Sequence, residues 1–184
     1  VKDITVYKEG IPAQYGGRLS SVLDIKMNEG NNQDIDVSGG IGIISSKLNI
    51  EGPIQKERSS FLLSARRNYA DLFLKLSSDT TLNKNKLYFY DLNAKLNYKL
   101  GKRDHLYLSG YFGRDVLGFQ DRYGINWGNG TGTIRWNHLF SSNLFVNTSL
   151  IFSNYNYRIR IKDGTDDFAI LSQIRDWNLK QDYQ

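Results

Sequence analysis

The stretch 87–100, LYFYDLNAKLNYKL, decides the fold because its polarity alternates from residue to residue. The apolar positions are Tyr88, Tyr90, Leu92, Ala94, Leu96, Tyr98 and Leu100, and the polar positions from 91 onward are Asp91, Asn93, Lys95, Asn97 and Lys99. Successive side chains of a β-strand point to opposite faces, so the pattern predicts one strand with an apolar face and a polar face. A globular strand has about 5–6 residues, whereas a strand that crosses a membrane needs about 9–11. This stretch is long enough for the second kind.

The same two-residue period recurs along most of the chain. It predicts an all-β, antiparallel fold with about eight sheet strands, at 33–43, 45–54, 59–69, 87–100, 105–117, 131–140, 144–161 and 168–183. Around Asn154 the apolar positions change parity, which indicates either a β-bulge or the point where a strand leaves a bilayer.

The connections between these strands also alternate in length. Those at 55–59, 101–105 and 140–143 are short and polar, and those at 77–86, 118–129 and 162–167 are longer. Short turns at one end and long loops at the other are typical of outer-membrane β-barrels. The first hairpin, at 43–46, would then be an unusually tight outer connection.

Two sets of side chains give the predicted sheet its two environments. Polar residues that would face a watery lumen or a polar plug are Asp34, Asp36, Asp91, Asn93, Lys95 and Asn97. Aromatic residues that would lie at the membrane interfaces are Tyr88, Tyr90, Tyr98 and Trp136. Charged side chains are costly in a dry core, and amphipathic rings settle at the headgroup level. The pattern therefore favours a transmembrane barrel segment over a soluble β-sandwich or a lipocalin-like barrel, which share the alternation.

Composition excludes several other classes. The chain has 184 residues, no cysteine and a net charge of +5. The absence of cysteine rules out disulfides and thiolate metal sites, and the mild, dispersed charge does not predict a nucleic-acid partner. No apolar run approaches the roughly 20 residues of a membrane-spanning helix. Because the sequence begins without methionine and ends inside a periodic segment, we expect a piece of a longer protein.

Residues 1–30 have a different pattern from the rest. Short strands are predicted at 4–7 and 21–27, and the run YGGRLSSVLDI begins at Tyr15. Its Gly16-Gly17 pair permits a sharp turn, and a polar exit, EGNN, follows at 29–32. The run resembles the end of the plug domain of TonB-dependent outer-membrane receptors, in the form common in Bacteroidota. The segments YFYDLNAKLNYKL, LYLSGYFGRD and WGNGTGTIRWNHLF resemble early barrel strands of the same family.

The resemblance implies a fragment of a transporter. Residues 1–30 would be the C-terminal end of the plug, and residues 31–184 the first strands of an incomplete barrel of about 22 strands. Such a receptor lies in the outer membrane of a Gram-negative bacterium, surrounded by outer-membrane lipid. It binds a scarce small nutrient, such as a siderophore or a glycan, and imports it when TonB pulls on a plug segment absent here. No bond is made or broken, so neither an enzyme activity nor a cofactor is expected.

The resemblance also suggests where the plug would meet the barrel. The residues of the plug turn and this contact would be Gly16, Gly17, Arg18 and Asp24. Arg18 would pair with a lumen carboxylate of Asp34, Asp36 or Asp91. The pair would either hold the plug until force is applied or be an ordinary polar contact.

No residue pattern predicts catalysis. His105, in a predicted turn, and His138, on the apolar parity, have no serine or cysteine partner at motif spacing, so no catalytic residue is assigned. Residues 39–42, GGIG, lack a complete nucleotide-binding pattern. The acidic loop 163–167 either holds calcium or is a polar loop tip, and no metal site is assigned.

Two other functions remain open from the sequence. One is a small, self-contained outer-membrane barrel acting as an adhesin or a structural protein. The other is a soluble β-sandwich that binds sugar or single-stranded nucleic acid through its aromatic residues. Arg66, Arg67 and Tyr69 would contact an anionic ligand or lipopolysaccharide phosphate, or would simply be solvated.

Overall fold

A computed structural model of the chain describes residues 2–15, 20–79 and 81–184. Within them the fold is all-β, as predicted. The strands are β1 (Asp3–Tyr7), β2 (Val22–Lys26), β3 (Asp36–Ile41), β4 (Ser45–Gln55), β5 (Ser59–Asn68), β6 (Lys86–Lys99), β7 (Asp104–Phe119), β8 (Tyr123–Ser141), β9 (Leu144–Asp163) and β10 (Asp166–Tyr183). A 3-10 turn at Ala13–Tyr15 lies between β1 and β2, and one helix, α1 (Ala70–Leu76), lies between β5 and β6.

The strands form two antiparallel sheets. β1 pairs with β2, and β3 to β10 form one eight-stranded meander in which every strand pairs with the next one in sequence. This confirms the predicted number of sheet strands. The sheet is open, because β3 and β10 have no second strand partner in the described part of the chain. Each edge therefore exposes a row of backbone donors and acceptors that another strand can pair with.

Two connections that were predicted to be long loops are tight turns instead. β7 and β8 continue toward each other as far as residues 120–122, and β9 and β10 are joined by residues 164–165 alone. Gly164 has a φ of 59°, the left-handed conformation that such a short turn requires. The longer connection was predicted at 118–129, yet residues 123–129 pair one by one with β7 and β9.

The contrast between short turns and long loops is therefore weaker than predicted. In the described residues, 69–85 is the one long connection within the large sheet, and it begins with α1, which the period did not predict. The connection at 42–44 is tight, as predicted. We call the end of the sheet with the connections 56–58, 100–103 and 142–143 the turn end, and the opposite end the loop end.

Of the two explanations considered for the parity change at Asn154, the register excludes the β-bulge. Asn154 pairs directly with Gly130 of β8 and with Arg175 of β10, and the register is continuous on both sides. Irregular pairing occurs instead at Pro53–Gln55 and Leu139–Ser141, near the turn end. The parity change at Asn154 is therefore a change in which face carries apolar side chains, without any change in register.

The sheet has almost no buried apolar core. Among the described residues only Leu62 and Val146 are buried hydrophobic side chains. One face, which we call the apolar face, carries Leu63, Ile134 and Trp177, and these are 49%, 50% and 67% exposed. The opposite face, the polar face, carries Asn93 and the other polar residues of β6. An exposed apolar surface of this extent marks a surface that another phase or molecule covers.

Candidate functional site

The chain between the two sheets crosses the polar face near the turn end. We call residues 27–32 the crossing segment. Lys95 Nζ donates a hydrogen bond to the carbonyl oxygen of Met27 at 3.2 Å. Asn97 Nδ2 and Ser60 Oγ donate to the carbonyl oxygen of Glu29 at 2.8 and 3.0 Å. Side chains of β5 and β6 therefore hold the backbone of the crossing segment against the sheet.

A glycine makes this close approach possible. Gly30 has a φ of 91°, and a Cβ atom added there would lie 2.5 Å from the carbonyl oxygen of Phe61. Any side chain would clash with backbone, so this position requires glycine. Beyond it, the backbone N–H of Glu57 donates to the carbonyl oxygen of Asn32 at 3.0 Å, which fixes the exit of the segment beside the β4–β5 turn.

A polar pocket of about 260 Å³ lies between the crossing segment and the sheet. Its lining includes Glu29, Lys95, Asn97, Tyr107, Ser109 and Arg135. The guanidinium of Arg135 stacks on the ring of Tyr107, 4.3 Å from its centroid. The lining also includes Leu96, Leu108 and Ile151, so the pocket offers apolar contacts as well as hydrogen-bond donors and acceptors.

Polar atoms without a hydrogen-bond partner lie on the polar face from Arg135 toward the turn end. Buried side-chain atoms on the polar face that lack a hydrogen-bond partner are Arg135 Nε, His105 Nε2, Asn137 Oδ1 and Asn147 Oδ1. A buried polar atom left unpaired costs about 1–3 kcal/mol, so water or another polar group paired with these atoms would stabilise this face. His105, which was predicted to lie in a turn, is in β7 and contacts the hydroxyl of Tyr107 at 3.1 Å.

Four of the predicted lumen residues share the polar face of β6. They are Asp91, Asn93, Lys95 and Asn97. Asp36 lies on the same face of β3, directly opposite Glu51. Asp34 precedes β3 and forms an exposed ion pair with Lys56 at 3.6 Å.

The predicted contacts of the plug turn are only partly within the described residues. Gly16, Gly17 and Arg18 lie outside them. Asp24, in β2, accepts a hydrogen bond from the hydroxyl of Tyr15 at 3.0 Å, which ties the 3-10 turn to this strand. Of the carboxylates proposed for Arg18, Asp91 already pairs with Arg66 at 2.7 Å.

The predicted interfacial aromatics lie on the apolar face, at opposite ends. Tyr88 and Tyr90 are toward the loop end, and Tyr98 and Trp136 are toward the turn end. At about 3.4 Å per residue, Tyr90 and Tyr98 are separated by about 27 Å along the strand, close to the ~25 Å apolar band of outer-membrane barrels. The indole of Trp136 donates to Asp104 Oδ1 at 3.0 Å, which gives its polar atom a partner at the edge of the band.

The sequence analysis did not predict an aromatic surface that lies on the polar face at the loop end. Its members, which we call the aromatic surface, are Ile125, Trp127, Tyr155, Tyr157, Ile159 and Ile174. Trp127 lies directly between Asp115 of β7 and Tyr157 of β9, and it is 36% exposed. The parity change at Asn154 was the sequence signal for this surface, because beyond it the rings of β9 lie on the polar face.

Charge limits what the aromatic surface can bind. Arg66, which was considered for an anionic ligand, is neutralised by Asp91, and its Nε lies 2.8 Å from Oδ2. Asp115 lies beside Trp127, and Asp176 lies on the same face of β10. Exposed rings beside carboxylates favour a neutral or cationic ligand with hydroxyl or amine donors over an anion.

No family model, curated protein or solved structure matches this chain. Among residues 2–15, 20–79 and 81–184, no helix has the length and apolar character needed to cross a membrane. The same residues contain no group of three or more histidine, aspartate or glutamate side chains placed to hold a metal ion.

Proposed function

We propose that this chain is part of a TonB-dependent outer-membrane receptor that imports a scarce small nutrient. In this proposal β3–β10 are neighbouring wall strands of a transmembrane barrel, and residues 1–30 are the end of its plug. The single observation that supports it best is the exposed apolar face of an open sheet whose opposite face is polar. In this proposal the chain catalyses no reaction. It binds the nutrient and controls the passage of the nutrient through the barrel.

The apolar face supports a location in a bilayer. Burying apolar surface contributes about 25 cal/mol per Å², so a sheet that leaves a whole face exposed to water forgoes its main source of stability. Hydrocarbon in contact with Leu63, Ile134 and Trp177 would restore that stability. In hydrocarbon every backbone N–H and C=O must be paired, so the free edges of β3 and β10 would pair with further strands of the same barrel.

The crossing segment supports a plug inside the barrel. It is held by hydrogen bonds from Lys95, Asn97 and Ser60 rather than by apolar packing. Each such bond contributes only about 0.5–1.5 kcal/mol, and water can replace it. A pull from TonB on the plug would therefore break these contacts one after another, and they would form again when the force ends.

The aromatic surface supports a ligand site at the outer mouth. It lies at the loop end of the same face that the crossing segment contacts at the turn end. A nutrient held by Trp127 and Tyr157 would therefore be above the plug and inside the wall. From there it could pass along the polar face once the plug moves.

Cell fractionation tests the location. The protein, made at its natural length, is expected in the outer-membrane fraction and should be released only by detergent. A monodisperse protein in the detergent-free periplasmic extract would contradict the proposal and favour a soluble β-sandwich.

Cross-linking separates the proposal from a small closed barrel. The chain has no cysteine, so engineered pairs are its only thiols. Ser109→Cys with Thr133→Cys, which are direct partners on β7 and β8, is the positive control. Ser38→Cys with Asn178→Cys, on the two edge strands, should not be joined by a short bis-maleimide. Efficient joining of that edge pair would mean that the eight strands close on themselves.

A further inference from the structure

A basic pocket lies on the apolar face at the loop end. It has a volume of about 180 Å³ and is lined by the cationic side chains of Lys86, Arg122, Arg158 and Arg160. Gly118 and Gly124 occupy the register row between Lys86 and Arg160, so no side chain projects from that row between the two cations. Three strand spacings of about 4.8 Å place these two cationic residues roughly 14 Å apart across that floor.

The pocket has more positive than negative charge. Two carboxylates pair with two of the cations: Asp121, in the lining, with Lys86 at 3.3 Å, and Asp167, outside it, with Arg160 Nε at 2.8 Å. The hydrogen bond from Arg160 holds the pKa of Asp167 below its usual range, so this carboxylate stays charged. In the described part of the chain, no ion pair involves Arg122 or Arg158, so these two cations remain available for an anion.

The position of the pocket identifies the kind of anion. It lies on the same face as the proposed hydrocarbon band, just beyond Tyr88 and Tyr90. A nutrient inside the barrel would meet the opposite face, whereas the headgroup of an outer-leaflet lipid would meet this one. The apolar-face positions of β8 continue from the pocket into the band as Gly128, Gly130 and Gly132, and a Cβ at Gly132 would have no atom within 4 Å. These glycines leave a shallow groove for an acyl chain.

We propose that the basic pocket binds the phosphate group of an outer-leaflet lipid, with an acyl chain along the glycine positions of β8. Arginine pairs with phosphate through two parallel hydrogen bonds, so Arg158 and Arg122 would supply the strongest contacts. The inference rests on the proposed membrane location. It adds a lipid site outside the barrel that is separate from the nutrient site and from the plug. Binding would fix the position of β6–β9 along the membrane normal.

Lipid retention measured by native mass spectrometry tests this site. The detergent-purified protein is incubated with dioleoyl phosphatidic acid, with dioleoyl phosphatidylcholine, or with inorganic phosphate. Phosphatidic acid should be retained at least tenfold more than phosphatidylcholine, and the preference should decrease as salt is raised. Equal retention of the two lipids would overturn the proposal without any variant. Phosphate that competes at millimolar concentration for the same site would instead assign the pocket to a free anion.

Paired variants localise the binding. Arg122→Gln with Arg158→Gln should remove the preference for phosphatidic acid. Lys102→Gln with Arg103→Gln removes the same charge at the turn end and should leave the preference unchanged. Gly132→Leu should reduce retention of the long-chain lipid. Outer-membrane assembly is scored separately for each variant, so a protein that is not inserted counts against the proposed function, whereas an inserted protein with unchanged retention counts against the lipid site.

Discussion

The turn-end and loop-end halves of β8–β10 have the same backbone register and opposite side-chain chemistry. In the turn-end half, Ile134 and Phe152 lie on the apolar face, and Thr133 and Ser149 lie on the other. In the loop-end half, Asn126 and Arg158 lie on the apolar face, and Trp127 and Tyr157 lie on the polar face. The strand pairing is continuous between the halves. The difference in side-chain chemistry therefore reflects different surroundings and not a change in the strands. A bilayer around the first half and water around the second would account for both patterns.

The largest expected effect is a charge placed in the turn-end half. Ile134→Lys would put an ammonium against hydrocarbon, at a cost of about 2–4 kcal/mol near the middle of a bilayer. We expect little or no folded protein in the outer membrane, measured by detergent extraction and heat-modifiable gel mobility. Thr133→Lys, one residue away on the polar face, is the matched control and should assemble. Equal assembly of the two variants would remove the distinction between the faces.

The same charge in the loop-end half should have the opposite result. Asn126→Lys lies on the same face as Ile134 but beyond the proposed band, beside Arg158, so assembly should be unchanged. Trp127→Ala, on the other face, should assemble normally and reduce nutrient uptake by about tenfold, because truncating an aromatic anchor of a binding site costs more than about 1 kcal/mol. Uptake that is unaffected by Trp127→Ala would show that the aromatic surface is not the ligand site.

A local effect is expected at the crossing segment. Gly30→Ala introduces a Cβ within 2.5 Å of the carbonyl oxygen of Phe61, in addition to an unfavourable positive φ. We expect a loss of about 2–3 kcal/mol in the attachment of the segment, seen as faster proteolysis near residue 30. Gly10→Ala is the control, since its φ is 61° but no atom lies within 4 Å of the added Cβ. Equal proteolysis of both variants would mean that only backbone strain matters.

The smallest effect concerns the ion pair of Arg66 and Asp91. The arginine side chain is more than half exposed, so solvent screens the pair. A double-mutant cycle with Arg66→Gln and Asp91→Asn, measured by thermal unfolding in detergent, should give a coupling energy of about 0.5–1 kcal/mol. A coupling near zero would leave Asp91 available for a plug cation such as Arg18.

The sequence predicted the sheet much better than the site. The alternation that recurs along most of the chain predicted the strands of the large sheet and, below the parity change at Asn154, the face that each side chain occupies. The extension of β8 back to Tyr123 was missed because Gly128, Asn129 and Gly130 favour loops when they are considered alone. Their pairing depends on long strands on both sides, which local propensity does not record.

The site depends on contacts between residues far apart in the sequence. The crossing segment meets β6 through Glu29 and Asn97, which are separated by 68 positions, and no motif marks that pair. The basic pocket combines Lys86 with Arg160, and neither is unusual in its own strand. Only the register of β6–β9 shows that they occupy the same row.

The most direct measurement is fluorescence quenching at single cysteines in this cysteine-free chain. Labels at Ile134→Cys, Thr133→Cys and Asn126→Cys are exposed in turn to quenchers attached to lipid chains and to quenchers in water. We predict that lipid-borne quenchers reach residue 134 but neither of the other two positions. Quenching of residue 134 only from water, or of residues 133 and 134 equally from lipid, would contradict a bilayer on the apolar face.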